Sequence, residues 1–293
     1  MHASSLAPPT LLVAGHWRAL EAAHIERALS MTSGHRDRAA RGEKHPVEDF
    51  LFTYYSYKPS LLTRWHPGAG VELADAAATD RAQWRWYQPG SADRSLRVDT
   101  HGFSAERSTL LGNVERILRA TADRAPQFGC FGLHEWAMVY RQGEHRHPIP
   151  LRLGQADTDA VVEAHDLKCT HFDAFRFFTA EAVPLNREPL TRDLQPEREQ
   201  AGCLHAGMDL YKWAVKLGPL LPGDVLLDAF ALSSEIRVLD MQASPYDLAD
   251  HGYEPVRIET AAGKAEYVRR QRAFAERAQT LRERMLAVIG LGA

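Results

Sequence analysis

The chain has 293 residues, of which 45% are hydrophobic and 25% are charged, and its formal net charge is −3. These values are typical of a soluble globular protein with a substantial core. They disfavour strong non-specific nucleic-acid binding, which usually accompanies a basic balance, and no apolar run is long enough for a membrane span.

The first predicted elements are a flexible N-terminus and a helix. Residues 1–10 lack the basic segment that opens an export signal, so we expect a flexible lead. From about Leu11 to Arg41, apolar side chains recur at three- and four-residue spacing, which predicts a helix that stops before Gly42 and Pro46. Residues 72–100 are predicted to hold a loop or short strands.

Helices dominate the rest of the chain. An apolar face predicts a helix over 104–125, and further helices are predicted over 203–218, 223–240 and 262–289, the last as a long, arginine-rich C-terminal helix. Short strands are predicted around 149–153 and 255–259. We therefore predict a mainly α protein, a single globular helical domain over residues 1–293 with a few short strands.

Cysteine usage bears on the compartment of the protein. Cys130, Cys169 and Cys203 are odd in number and form no C-x-x-C pair. Reduced thiols of this kind are typical of a cytoplasmic protein. We expect a cytoplasmic location and no membrane partner.

The stretch FGLHEWAMVYR at 131–141 opens like the zinc motif H-E-x-x-H. In that motif two histidines on one helical face hold the metal, and the glutamate between them acts as general base. Here Met138 occupies the position of the second histidine. Any metal bound by His134 therefore needs ligands from elsewhere in the chain.

Further histidines could supply those ligands. His145, His147 and His165 precede THFDAFRFF, which contains His171, and CLHAGMDLYKW, which contains His205. His134, His171 and His205 could be delivered by three separate elements to one zinc or iron ion, or one of them to haem. The alternative is that a neighbouring carboxylate or carbonyl satisfies each histidine.

Aromatic residues are dense in the first third of the chain. A pocket for a flat or cationic ring could be lined by Tyr54, Tyr55, Tyr57, Trp65, Trp84, Trp86 and Tyr87. The alternative is that these rings are divided between the core and the surface.

The stretch LPGDVLLDAFALSSEIRVLDM at 221–241 is similar to the helix-hairpin-helix DNA glycosylases. That likeness would put Gly223 in a phosphate-binding hairpin and make Asp240 the catalytic carboxylate. The sequence departs from the pattern at Val225, where those enzymes have a second glycine.

A broader resemblance covers roughly residues 16–285. It is carried by HPVEDFLFTYYSYKPSLLTRWHPG, GLHEWAMVYR, HFDAFRFF, CLHAGMDLYKW and LDMQASPYDL. Together these blocks resemble a bacterial family commonly labelled 3-methyladenine DNA glycosylase. The resemblance implies hydrolysis of a nucleobase N-glycosidic bond without a cofactor, in damaged DNA or in a small nucleoside or nucleotide.

Such hydrolysis needs a carboxylate near the developing positive charge, a positioned water and a pocket that stacks the base. We expect Glu135 or Asp173 to be the carboxylate, His171 to position water and Arg176 to bind phosphate. The other candidate catalytic residues are His134, His205, Asp209 and Asp240. The candidate substrate-binding residues are Tyr54, Tyr55, Trp65, Trp136, Tyr140 and Tyr211.

Two other classes of function stay open. In the first, the protein is a metalloenzyme acting on a small polar metabolite, with zinc, iron or haem held by His134, His171 and His205. In the second, it is a non-catalytic protein whose aromatic pocket retains a ligand.

Overall fold

A computed structural model describes residues 9–143 and 148–291 of the chain. The predicted histidines His145 and His147 lie outside the described residues. Within the described residues there are eleven α-helices. Their bounds are Ala14–Ala40 (α1), Phe50–Tyr54 (α2), Thr100–Glu106 (α3), Ser108–Asp123 (α4), Leu133–Ala137 (α5), Gly154–Glu163 (α6), Phe172–Phe175 (α7), Gln195–Arg198 (α8), Leu204–Leu217 (α9), Gly223–Gln242 (α10) and Ala261–Gly290 (α11).

Four three-residue strands form one small sheet. They are Thr10–Leu12 (β1), Val71–Leu73 (β2), Tyr87–Pro89 (β3) and Leu96–Val98 (β4), in the order β1-β2-β4-β3. Strand β1 pairs in parallel with β2, and the other two pairings are antiparallel. Residues 1–8 of the expected flexible lead lie outside the described part of the chain, and Thr10 belongs to β1.

Two details of the predicted elements are wrong. No strand forms at 149–153, where Leu151 makes only an isolated bridge, or at 255–259. Each of these runs contains a proline, Pro150 or Pro255, which has no N–H to donate to a neighbouring strand. The helix predicted over 104–125 is interrupted at Arg107, which separates α3 from α4.

One main hydrophobic core extends from Trp17 in α1 to Ile289 in α11. Helix α10 is buried on almost every side, as expected for a helix whose apolar residues are not confined to one stripe. Helix α9 packs along α10, and α11 packs against both. These contacts confirm a mainly α, single globular domain with a few short strands. None of the helices in the described ranges combines the length and the apolar character that crossing a bilayer requires.

Helices α9 and α10 form the hairpin that positions the candidate site. The turn between them contains Pro219 and Pro222 and begins at Gly218, whose φ of 53° favours glycine. A Cβ on Gly207 would lie 2.9 Å from Cδ1 of Ile236, so the helices approach closely because residue 207 has no side chain. Since the hairpin is antiparallel, the start of α9 lies beside the end of α10.

Candidate functional site

Helix α5 places His134 and Glu135 in the interior, where they are 3% and 4% exposed. The helix is preceded by two left-handed residues, Phe131 with φ of 49° and Gly132 with φ of 73°. Such a φ is unfavourable for phenylalanine, and strain of this kind is concentrated at functional sites. This turn lets α5 begin beside the end of α10.

His134, His205 and Asp240 form the first group of side chains at this place. Each offers one ligand atom, and these atoms all lie within 4.8 Å of one another. Nε2 of His134 is 2.8 Å from Oδ1 of Asp240, and Nδ1 of His134 is 3.5 Å from Sγ of Cys130. Helices α5, α9 and α10 contribute one member each.

His205 differs from the other two members of the first group. The residue is half-buried, and the centroid of its ring lies 4.5 Å from that of His134 in an edge-to-face arrangement. Within the described residues, the His205 ring takes part in no hydrogen bond or ion pair. Burial, followed by the nearby positive charge of His134, lowers the pKa of His205 well below its ordinary value. The ring is therefore neutral at pH 7 and has a free lone pair.

His171, Glu199 and Asp209 form the second group, in which all three side chains are buried. Nε2 of His171 lies 3.1 Å from Oε1 of Glu199 and 3.3 Å from Oδ2 of Asp209. Charge-assisted N–H···O contacts are usually about 2.7–2.9 Å long. These contacts are longer because two carboxylates share one Nε2 proton.

The second group already contains its own balancing cation. Nζ of Lys212 donates to the same Oδ2 of Asp209 that His171 approaches, and the Tyr55 hydroxyl donates to Oδ1 at 2.8 Å. On Glu199, Gln195 donates a further hydrogen bond at 2.6 Å. Nδ1 of His171 is buried and has no partner in the part of the chain described.

The two groups adjoin each other. The ring centroids of His171 and His205 are 5.3 Å apart, so all three histidines predicted from the sequence come together. They do not form one three-histidine set, however, because Asp240 completes the first group and His171 belongs to the second. Glu199 was not predicted; it follows α8, in a polar, proline-containing stretch with no chemical motif of its own.

Ionisation of the site follows from these contacts. Burial lowers the pKa of His134, but the carboxylate of Asp240 outweighs it and raises that pKa well above its ordinary value. Burial likewise opposes the charged form of His171, whereas Glu199 and Asp209 raise its pKa to about 9. The pKa values of Asp209 and Asp240 are lowered despite burial, chiefly by Lys212 and His134 respectively.

Glu135 has a structural partner of its own. Nη1 of Arg237 donates to Glu135 and to Asp240, at 3.0 Å in each case, and the guanidinium lies 3.8 Å from the centroid of the Phe50 ring. Burial raises the pKa of Glu135 although Arg237 opposes the shift. Glu135 thus helps to fix the Arg237–Asp240 pair.

Asp173 and Arg176 lie nearer the surface. Asp173 contacts Arg192 at 2.9 Å, Arg176 at 3.3 Å and Lys212 at 3.8 Å. Lys212 thereby connects Asp173 with Asp209. Three cations surround Asp173, so this carboxylate is already paired.

The six predicted substrate-binding rings do not share one pocket. Tyr54 packs edge-to-face on Tyr55, and Tyr55 packs likewise on the buried Tyr211, so these three adjoin Asp209. The other three lie elsewhere: Trp65 is stacked on Trp17, the Trp136 indole donates to the Ala243 carbonyl, and the Tyr140 hydroxyl donates to Glu163.

The hairpin assignment of Gly223 is not supported by its contacts. The Gly223 amide donates to the carbonyl of His66 at 2.9 Å. A Cβ at this position would lie 2.7 Å from Trp65 and 2.8 Å from His24. An amide that is bonded and covered in this way is not available to a DNA phosphate.

Comparisons with protein-family models, with curated proteins and with solved structures gave no match to this chain. The resemblance to the 3-methyladenine DNA glycosylase family therefore stays a prediction. The function has to be argued from the geometry of the two groups.

Proposed function

We propose that this protein is a metal-dependent hydrolase with a divalent zinc or iron ion at His134, His205 and Asp240. One observation carries the proposal. Three helices bring the ligand atoms of two imidazoles and one carboxylate within 4.8 Å of one another, and within the described residues the His205 imidazole makes no hydrogen bond or ion pair.

The donor set suits this kind of chemistry. Two histidines and one carboxylate are common ligands of catalytic zinc and of non-haem iron. Three protein ligands leave coordination positions for water and substrate, and a bound metal ion lowers the pKa of that water towards neutrality. His205 is half-buried and is the least enclosed of the three side chains.

Metal binding would also suit the charges of the first group. His134 shares a proton with Asp240 in the metal-free protein, since its pKa is well above the ordinary value. A metal ion must displace that proton to reach the nitrogen. The metal ion then takes the place of the His134 proton as the positive charge beside Asp240. The charge balance of the site is therefore preserved when the metal binds.

The second group fits the role of a proton donor better than that of a second metal site. Lys212 already contacts Asp209, and its ammonium would repel an adjacent metal ion. His171 has a pKa of about 9 and is protonated at neutral pH, next to the His205 ring. It can donate to a leaving group while Glu199 and Asp209 hold its ring in place.

Haem fits this site less well than a single metal ion does. A haem ligand needs one open side for the macrocycle. The rings of His134 and His171 lie 4.5 and 5.3 Å from that of His205 and crowd this side chain.

Metal-independent cleavage of a nucleobase N-glycosidic bond is the second candidate function. It is favoured by the ionised Asp209, which accepts a hydrogen bond from Tyr55 and adjoins the partly exposed Tyr54. A carboxylate beside aromatic rings is the combination that stabilises a sugar cation and stacks a base.

Elemental analysis of the purified protein tests the first proposal. We expect about one equivalent of zinc or iron, and loss of it in His205→Ala. His165→Ala is the matched control, since that half-buried histidine follows α6 and its Nδ1 is hydrogen-bonded to the Val161 carbonyl at 2.6 Å. Metal that is absent from the wild type after supplementation, or unchanged in His205→Ala, contradicts the proposal.

Base release separates the two candidates. The metal-free protein is incubated with alkylated DNA and with free nucleosides. Release that is independent of metal and abolished in Asp209→Asn would establish the glycosylase function. If the metal-free protein hydrolyses these substrates only after zinc or iron is added, the result would instead support the metal-dependent enzyme.

A further inference from the structure

A groove of about 720 Å³ lies apart from the first group. It runs between the segment 57–66, the segment 84–87, helices α3 and α4, and the C-terminal end of α9. Its volume is within the range of about 300–1,000 Å³ that is usual for small-molecule sites. None of the residues that line it belongs to the first or the second group.

The walls of this groove carry aromatic rings that are not fully buried. Trp84, Trp86 and Tyr57 are each half-buried. Trp86 packs edge-to-face on Phe103, with ring centroids 5.1 Å apart, which fixes the orientation of its indole. Rigid, partly exposed rings of this kind stack planar ligands.

The same groove carries an excess of positive charge. Its lining includes Arg64, Arg85, Arg107 and Lys216 and no aspartate or glutamate. Glu106 pairs with both Arg85 and Arg107. The exposed side chains of Arg64 and Lys216 take part in no hydrogen bond or ion pair within residues 9–143 and 148–291.

Within the described residues, both cations lie beside indole rings and form no ion pair. The Arg64 guanidinium lies 5.3 Å from the centroid of the Trp84 ring, which the Arg81 guanidinium also approaches, at 4.9 Å. Nζ of Lys216 lies 5.3 Å from the centroid of the Trp213 ring, and partial burial of the ammonium, followed by the charge of Lys212, lowers the pKa of Lys216. An anion in the groove would supply a counter-charge for both Arg64 and Lys216.

We propose that this groove binds a nucleotide, with its base against the indoles and its phosphate at Arg64 and Lys216. A flat ring alone would leave the two cations unpaired, and a phosphate alone would leave the aromatic walls unused. Guanidinium groups form paired hydrogen bonds with phosphate oxygens, and aromatic side chains stack nucleobases without needing a particular sequence.

The groove also leads towards the second group. Lys216 follows Lys212 by four residues on α9 and therefore lies on the same helical face. Tyr57 packs edge-to-face on Tyr211, which packs on Tyr55, the donor to Asp209. The binding proposal does not depend on a metal at the first group.

Calorimetric titration of metal-free full-length protein with adenosine 5′-monophosphate and with adenosine tests this proposal. The monophosphate should bind, and adenosine should bind about tenfold more weakly or worse because it makes no charge-assisted contact. Arg64→Ala and Lys216→Ala should each weaken binding of the monophosphate by about tenfold or more.

Arg18→Ala is the matched control, because Arg18 is also exposed and lies 5.1 Å from the centroid of an indole, that of Trp17, but does not line the groove. Its affinity for the monophosphate should equal that of the wild type. Equal affinity for adenosine, or equal losses in Arg18→Ala and Arg64→Ala, would overturn the proposal. So would binding of single-stranded DNA without binding of the monophosphate, which would assign the groove to nucleic acid.

Discussion

His205 in the first group and His171 in the second illustrate two ways in which a folded chain accommodates an imidazole. The two rings are 5.3 Å apart. His171 is charged and lies between two carboxylates, whereas His205 is neutral and has no hydrogen-bond partner in the described part of the chain. The same side chain therefore has opposite ionisation states on the two sides of one small site.

The difference in ionisation indicates that His171 contributes to stability and that His205 is available for ligand binding. An imidazolium between buried carboxylates cancels charges that would otherwise oppose folding, so the charges of the second group are balanced without a ligand. An unpartnered neutral imidazole contributes little to folding but offers a lone pair to a metal ion. This contrast explains why we assign the metal to the first group and the proton to the second.

The largest expected change in the free energy of unfolding comes from removing each of the two imidazole rings in turn. In metal-free protein, His171→Gln leaves Glu199 and Asp209 without their shared cation and should lower the free energy of unfolding by about 3–5 kcal/mol. His205→Gln removes no ion pair and should change it by less than about 1 kcal/mol. Urea denaturation of both variants measures the difference.

The order of the two variants should be reversed when the measured quantity is metal binding instead of stability. His205→Gln should lose zinc, whereas folded His171→Gln should retain it at pH 7. Equal destabilisation by the two substitutions would show that the two rings do not differ as described.

The pH dependence of stability should give the next largest effect. Because the pKa of His171 rises from 6.5 to about 9 on folding, its contribution is complete below about pH 6.5 and lost as the pH rises through 9. This amounts to about 3 kcal/mol. Unfolding of metal-free protein should therefore become easier between pH 6.5 and 9, measured by urea denaturation at each pH.

His171→Gln is the control for that titration, since the contribution of residue 171 to the decline should disappear in it. The pKa of His134 is also raised, so a smaller decline should persist in the variant. Identical pH profiles for the variant and the wild type would mean that His171 is not the titrating group.

The long helices were predictable because their apolar residues repeat over many turns. Helices α4 and α9 have 16 and 14 residues, long enough for a period to emerge, whereas α10 was predictable from the length of its apolar segment rather than from one stripe. The strands have three residues each, too few to establish alternation. Their positions depend instead on pairing partners, such as Val71 for Thr10, that lie far away in sequence.

The candidate site was predictable only where a residue type signals its own chemistry. His134, His171 and His205 could be selected as ligands before their meeting was known. Glu199 could not, because a glutamate in a polar stretch looks like any surface residue until Gln195 and His171 are placed beside it. The bond from Tyr55 to Asp209 joins residues 154 positions apart, and no local pattern encodes it.

Arg176→Ala should give the smallest effect and shows how far the second group extends. The Arg176 side chain is 42% exposed, and its contact with Asp173 at 3.3 Å is backed by that of Arg192 at 2.9 Å. Solvent screens such a pair, so the free energy of unfolding should change by less than about 1 kcal/mol.

Lys212→Met is the matched comparison for Arg176→Ala, because Lys212 is largely enclosed and contacts both Asp173 and Asp209. Its loss leaves a buried carboxylate underbalanced and should cost several times more. If Arg176→Ala cost as much as Lys212→Met, the ion pairs would form one cooperative network reaching from the surface to His171. In that case the second group would not be a self-contained unit, and the contrast with His205 would have to be drawn at the protein surface rather than between two adjacent rings.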